Sequence, residues 1–256
     1  MAPDRVSAWS SAFRPLDSGG LKAELHALFL GGRTRTMQTG WLALFVLLVS
    51  ISCPAIAQVG KLYPIDEAPK DPSFQAFRTR LIEAVKNRDA KFILSILDPK
   101  ILNSFGGDGG VKEFKEMWTP DNPNSELWDI LIGVLSMGGS FNLKNKNEFC
   151  APYVYSQFPE LDAFDHSVII GEQIRVREQP GLTSPAVATL SYDIVAVADP
   201  STEPVEKDGH SWIAIKLSNG KTGFVSKQFI RSPIDYRACF TKKRGMWRMV
   251  TLVAGD

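Results

Sequence analysis

Between Ile174 and Ser226 the chain is divided by turn residues into apolar segments of four to seven residues, and this spacing suits little except a small, tightly curled sheet. The segments are IRVRE (Ile174 to Glu178), AVATL (Ala186 to Leu190), IVAVA (Ile194 to Ala198), SWIAIKL (Ser211 to Leu217) and TGFVS (Thr222 to Ser226). Asn219-Gly220 separates the last two, and Asn-Gly supplies the two positive φ angles of a type I′ hairpin turn. Five short strands in this length predict a small barrel. The chain then adds FTKKRGMWRMVTLVAGD, Phe240 to Asp256, whose apolar stretches flank a polar turn at Gly245 and read as a further hairpin. An isolated hairpin is not stable in water. If the barrel is already complete, the tail must supply strands to another domain.

That domain is predicted upstream. After a linker rich in Pro and charge, residues 58–73, the residues Phe74, Phe77, Leu81, Ile82 and Val85 fall on one helical face. Asn87-Arg88-Asp89 breaks the helix, and Ala90 to Leu97 forms a second one that stops at Asp98-Pro99. Ile101 to Phe105 reads as a strand. The loop GGDGG, Gly106 to Gly110, leads into a short helix ending near Trp118. A further helix, capped by Asn124 or Ser125, carries Leu127, Trp128, Leu131, Val134 and Leu135 on one face and ends at Gly138-Gly139. The expected fold class is α+β: a helical, curved-sheet domain formed by 74–160 plus 232–256, with a small all-β barrel at 168–231 inserted in it. Deleting residues 240–256 is then expected to unfold the first and spare the second.

The N-terminal part bears on location. Trp41 to Val49 is apolar and uncharged, Arg33 and Arg35 precede it, and Ala55-Ile56-Ala57 before Gln58 is an A-x-A cleavage pattern. Residues 37–57 therefore read as a signal peptide cut between Ala57 and Gln58. From Trp41 up to the helix-breaking Pro54 there are 13 residues, short of the roughly 20 that a bilayer span requires. Residues 1–36 are foreign to such a peptide, which makes Met37 an alternative start to Met1. Ser50-Ile51-Ser52-Cys53 is a poor lipoprotein box. An exported chain, periplasmic or extracellular and without a stable membrane span after cleavage, is expected.

Cleavage removes five basic and three acidic residues, leaving 24 Lys+Arg against 25 Asp+Glu. That balance argues against nucleic acid as a partner, since such binders concentrate Lys and Arg on one face. Cys150 and Cys239 remain. They would pair as a disulfide in an oxidising compartment or stay as two buried thiols, and the sequence leaves both open.

Motifs for catalysis, metals and cofactors are sparse. No CxxC, HExxH or His-x-His spacing occurs, so no metal site and no cofactor are expected. GGDGG would present backbone N–H groups to an anion, but Gly110 is followed by Val111-Lys112 where a phosphate loop has Lys-Ser/Thr, and a tight turn is the simpler reading. Asp162, Asp165 and His166 could form an acid–base corner, with a solvated loop between domains as the plainer account. No G-x-S-x-G elbow is present, and no catalytic residue is assigned.

The β-rich segment resembles a bacterial Src-homology-3 (SH3-like) domain. GEQIRVREQPGLTSPAVATL matches that family's first strand and its loop, with Arg175 where Asn is usual, and Trp212, GKTGFVS and Ile230 match its later strands. The Tyr192-Asp193 pair and the long acidic loop DPSTEPVEKDGH depart from the pattern. The flanking part, through Asn87-Arg88-Asp89 and Trp247 to Asp256, resembles the cystatin-like or nuclear-transport-factor-two-like cone fold. The first resemblance implies non-catalytic binding of a peptide or a peptidoglycan-like wall polymer. Tyr192, Trp212 and Phe224 are the candidate ligand-binding aromatics, with barrel-core packing as the alternative role. Two other readings stay open: an envelope hydrolase or small-molecule-binding domain with the barrel as targeting arm, and an assembly protein with no ligand.

Overall fold

The computed structural model describes residues 60–255, and the signal peptide with its Ala57–Gln58 cleavage site lies outside them. The described chain has the α+β class. Its first element after the linker is α1 (Pro72–Lys86), capped by the Asp71 carboxylate, which accepts from the Ser73 and Phe74 N–H groups. The helices α2 (Ala90–Ile96), α3 (Gly110–Trp118), α4 (Leu127–Ser136) and α5 (Tyr153–Ser156) are interleaved with β1 (Leu97–Leu102), β2 (Ser140–Phe141) and β3 (Glu148–Ala151). Eight strands follow: β4 (His166–Ile169), β5 (Ile174–Arg177), β6 (Ala186–Leu190), β7 (Ile194–Val197), β8 (Val205–Lys207), β9 (His210–Lys216), β10 (Thr222–Ser226) and β11 (Ile230–Arg231). The tail forms β12 (Arg237–Lys243) and β13 (Met246–Val253).

Two sheets result. The first has the order β1-β13-β12-β3-β2, so the tail hairpin occupies its centre. β3 and β12 are neighbours, yet β4 to β11 lie between them in sequence; the chain leaves this sheet at one strand and re-enters beside it. Cys150 and Cys239 face each other across that pair and are joined by a disulfide. One face carries Phe149, Ala151, Ala238, Phe240, Trp247, Met249 and Leu252 into a core shared with α1 and α4. A register shift between Cys239 and Phe240 leaves Val250 as the extra residue, which is why Met249 and Leu252, three apart, both point inward. Phe74 sits at the centre of this core, with ring centroids 4.2 Å from Phe149 and 4.7 Å from Trp247.

Strand β1 corrects one local expectation. It starts at Leu97 and runs through Asp98-Pro99, where a helix stop followed by a later strand was expected. Pro99 is tolerated because β1 is an edge strand and pairs, in parallel, with β13 alone.

The second sheet has the order β11-β4-β7-β9-β10-β5-β6, with β8 paired to the start of β9. Its hydrogen-bonded path is open, ending at β6 and β11. It is nevertheless strongly curved: Val176 of β5 and Ile230 of β11, five places apart in strand order, share one buried cluster with Ile169, Val195, Ile215, Leu217 and Val225. Gly223 permits part of this curvature, since a Cβ there would lie 2.5 Å from Val176 Cγ1.

From Gly60 onward the linker runs against both sheets. Its backbone pairs with Tyr192 and Ile194 at the start of β7, then with Gly139 just before β2, where Asp66 and Gly139 form a parallel bridge. Asp66 is held by Arg78. A smaller cluster of Tyr153, Val154, Val168 and Ile194 joins α5, which follows β3, to the second sheet. The Tyr153 hydroxyl has no partner among the described residues, and burial pushes its pKa up to about 12.

Candidate functional site

In β5 and β9 alternate residues pack into the aliphatic cluster of the second sheet and the others lie on its opposite face. In β5, Ile174 and Val176 point to the cluster, so Arg175 and Arg177 stand on the outer face. In β9, Ile213 and Ile215 point inward and Trp212 and Ala214 outward. Register places Ser226 opposite Trp212, Phe224 opposite Ala214, and Arg177 opposite Phe224. All these outward residues therefore share one face.

A groove of ≈ 220 Å³ opens on it, with Arg175, Arg177, His210, Trp212, Gln228 and Phe229 among its walls. The β5–β6 loop forms one wall and is held by three hydrogen bonds that involve side chains. Arg177 Nη1 donates to Ser184 O at 2.6 Å, Gln179 N–H donates to Ser184 Oγ at 2.9 Å, and Leu182 N–H donates to the Asp208 carboxylate at 2.9 Å. The last bond ties the loop to the β8–β9 turn. The opposite end is closed by the 3-10 turn Lys227–Phe229, anchored where Ile170 N–H donates to Phe229 O at 3.0 Å. Trp212 forms part of the floor. Its indole N–H donates to Lys207 O at 3.0 Å, and its ring meets His210 edge-on at 6.3 Å.

The groove is basic. No Asp or Glu lines it, Arg177 keeps donors beyond the one used on Ser184, and Arg175 is exposed and makes no ion pair among the described residues. Two larger clefts flank the β2–β3 hairpin, of ≈ 440 Å³ and ≈ 670 Å³. Both carry cations and carboxylates together, and several of their polar groups are engaged within the chain, although the buried Ser156 hydroxyl in the larger one has no partner among the described residues. Lys70 pairs with Glu67 at 2.6 Å, the Asn142 amide donates to Glu148 at 3.0 Å, and the Gln157 amide donates to Ser140 Oγ at 2.6 Å. A smaller groove with uncommitted donors is the better candidate for a charged ligand than a larger one whose charges cancel.

Of the three aromatic candidates, Trp212 lines the groove. Phe224 stands on the same face, one cross-strand pair away from Trp212 and Ser226, and does not line it. Tyr192 is at the β6–β7 turn with φ +58°, where its ring packs 5.5 Å from Tyr63. Sequence reading passed over Arg177, His210, Gln228 and Phe229. The Arg-x-Arg alternation at 175 and 177 was the available signal, because residues two apart in a strand share a face.

The GGDGG loop binds its own chain. Gly109 N–H and the Ser104 hydroxyl both donate to the Glu113 carboxylate, which fills the place an external anion would take. Asp162 accepts the Phe164 N–H at 2.8 Å, and His166 Nδ1 lies 2.9 Å from Asp162 O at the start of β4. No three His, Cys, Asp or Glu side chains converge as a metal site among the described residues. No helix among them is long and apolar enough to cross a membrane. Comparison with known proteins finds no family model, no curated protein and no solved structure that matches the chain.

Proposed function

We propose that this chain is an exported, non-enzymatic binding protein whose second sheet is a small barrel of the bacterial Src-homology-3 type. Its ligand is an extended peptide, free or as the peptide part of a cell-wall polymer. The observation that carries the reading is the basic groove walled by Arg175 and Arg177 over Trp212. At ≈ 220 Å³ it is smaller than the 300–1,000 Å³ or so of a drug-sized pocket. It suits one or two side chains of a longer ligand whose remainder lies across the surface. The curvature of the sheet around one aliphatic cluster supports the barrel. The apolar stretch Trp41–Val49 with Ala55-Ile56-Ala57 supports export, and the Cys150–Cys239 disulfide suits an oxidising compartment.

The test is sedimentation of the chain from Gln58 to Asp256 with purified cell-wall sacculi. Wild type is expected in the pellet, with Arg175→Glu retained several-fold less at an unchanged melting temperature. Recovery of all the wild-type protein in the supernatant, at a salt concentration where known wall-binding modules pellet, defeats the reading.

A further inference from the structure

β6 ends the second sheet, and its outer edge is unpaired among the described residues. Sheet edges are ordinarily blunted by charge, by proline or by a covering segment. β6 reads AVATL, without a charge or a proline, and Ala186, Val187 and Thr189 are exposed. Its pairing with β5 is regular over Ile174–Leu190, Arg175–Thr189 and Val176–Ala188, and a bulge at Val187 interrupts it beyond. The regular, open stretch is therefore Ala188–Leu190.

The chain already adds an extended segment of its own to this sheet, at the β6–β7 turn and the start of β7. Gly60–Leu62 lies along Tyr192–Ile194: Leu62 N–H donates to Tyr192 O at 2.8 Å, Ile194 N–H donates to Gly60 O at 3.0 Å, and Lys61 and Asp193 form an antiparallel bridge. The Lys61 ammonium reaches Ser191 O at 2.7 Å and the Asp193 carboxylate at 2.9 Å. The linker then departs through Pro64 to the first sheet, where Asp66 bridges Gly139, and leaves Ala188–Leu190 uncovered.

We propose that this edge takes an extended acidic peptide as an added strand. The proposal rests on the peptide-binding reading above and deepens it, since it names the mode of attachment and the charge of the partner. Thr189 and Ala186 lie opposite Arg175 and Arg177 on the outer face, and both are small. A side chain on the added strand would stand two strand spacings, about 9–10 Å, from these arginines with nothing bulky between. A glutamate and an arginine extended toward each other close that gap. Glu172 and Glu178 stand at the two ends of β5, which centres the positive charge on the middle of the open stretch. Backbone pairing with Ala188–Leu190 supplies the attachment, and the arginines select the partner.

The test is a fluorescence anisotropy titration of the intact exported chain with a labelled, end-blocked hexapeptide of alternating Thr and Glu. A Thr/Lys peptide and two backbone N-methylated forms of the Thr/Glu peptide, methylated in opposite phases, serve as the other probes. The Thr/Glu peptide is expected to bind and the Thr/Lys peptide to bind at least about tenfold more weakly, with Arg175→Glu reversing that order. Methylation in one phase removes the N–H groups that face β6 and is expected to cost about tenfold or more, while the other phase is tolerated. Equal binding of both methylated forms overturns strand addition, as does no binding of the Thr/Glu peptide at millimolar concentration. Either result beside a positive sacculus pellet leaves the groove reading standing, and a failed pellet beside phase-dependent peptide binding does the reverse.

Discussion

The first sheet is packed with rings and the second with branched aliphatics. Phe74, Phe149, Phe240 and Trp247 meet in one core under α1, whereas the second sheet closes on Val176, Val195, Ile215, Val225 and their neighbours. Large rings fill the space between a helix layer and a sheet. A sheet that curls on itself has no room for them and carries its aromatics on the other face, Phe224 half-buried and Trp212 covered by the groove walls to 3% exposure. The difference separates two tasks. The first sheet holds the chain together, and on the function proposed above the outer face of the second is the one that meets a ligand.

The largest expected effect breaks the two sheets apart. Deleting residues 240–256 removes most of β12 and all of β13, and with them Phe240, Trp247, Met249 and Leu252. At about 1.5–3 kcal/mol for each fully buried side chain, the loss of roughly 6–12 kcal/mol matches the whole stability of an ordinary domain. Amide spectra of the truncated chain should lose the dispersed signals of residues 72–151 and keep those of 166–231. Loss of both sets would mean that the second sheet depends on the first for its own folding.

The disulfide comes next. It closes a sequence separation of 89 residues, for which loop-closure entropy gives about 4–5 kcal/mol as an upper figure. The intervening segment is itself folded, which shortens the effective loop, so Cys150→Ser/Cys239→Ser is expected to cost about 2–4 kcal/mol. Denaturant unfolding followed by tryptophan fluorescence measures it. The loss should appear in the transition of the first sheet, because the bridge joins β3 to β12 and touches no strand of the second.

These two tests also mark what the sequence made legible. AVATL and TGFVS coincide with β6 and β10, and the tail forms a hairpin, in the first sheet, because short apolar segments bounded by turn residues are local signals. The turn type was not legible, since Gly220 has φ +79° while Asn219 has no positive φ, so the β9–β10 turn is not the type I′ expected. β2 and β3 were not legible. Phe149, Cys150 and Ala151 are buried in succession, so the strand has no two-residue period to read, and β2 is only Ser140–Phe141. β4 was hidden for the same reason, with Ser167, Val168 and Ile169 all buried. At the groove, Trp212 was legible as an aromatic within a strand. His210 was not, since it is the first residue of β9, one ahead of the segment that reads as a strand, and Gln228 and Phe229 were not, since a 3-10 segment brings them to it from outside any periodic pattern.

The smallest expected effect is electrostatic and sharpens the same contrast. Three carboxylates held below their ordinary range belong to the first sheet or its approach. Asp98 is lowered chiefly by its bond from Lys243, Asp71 by the Ser73 hydroxyl at the cap of α1, and Glu67 by Lys70. In the second sheet the counterpart is Asp199, fully exposed in a loop and lowered by Ser201 and Thr202. A carboxylate with a depressed folded pKa binds its proton more weakly folded than unfolded. Its contribution is therefore complete above the unfolded pKa, near 3.9 for Asp, and is lost as pH falls through the lower folded value. Acidification from pH 5 toward 2 should thus destabilise the first sheet while the second responds less. Asp98 is the best placed of the three: it is nearly buried, bonds Lys243 across to β12 and accepts the Lys100 N–H at 2.9 Å. Lys243 is half exposed, and solvent screening holds the expected cost of Asp98→Asn at neutral pH to about 1 kcal/mol. Asp98→Asn should also flatten the acid limb of the stability curve, measured by urea unfolding at a series of pH values. An acid limb unchanged by Asp98→Asn, Asp71→Asn and Glu67→Gln together would place the acid-sensitive groups outside the first sheet and remove this part of the contrast.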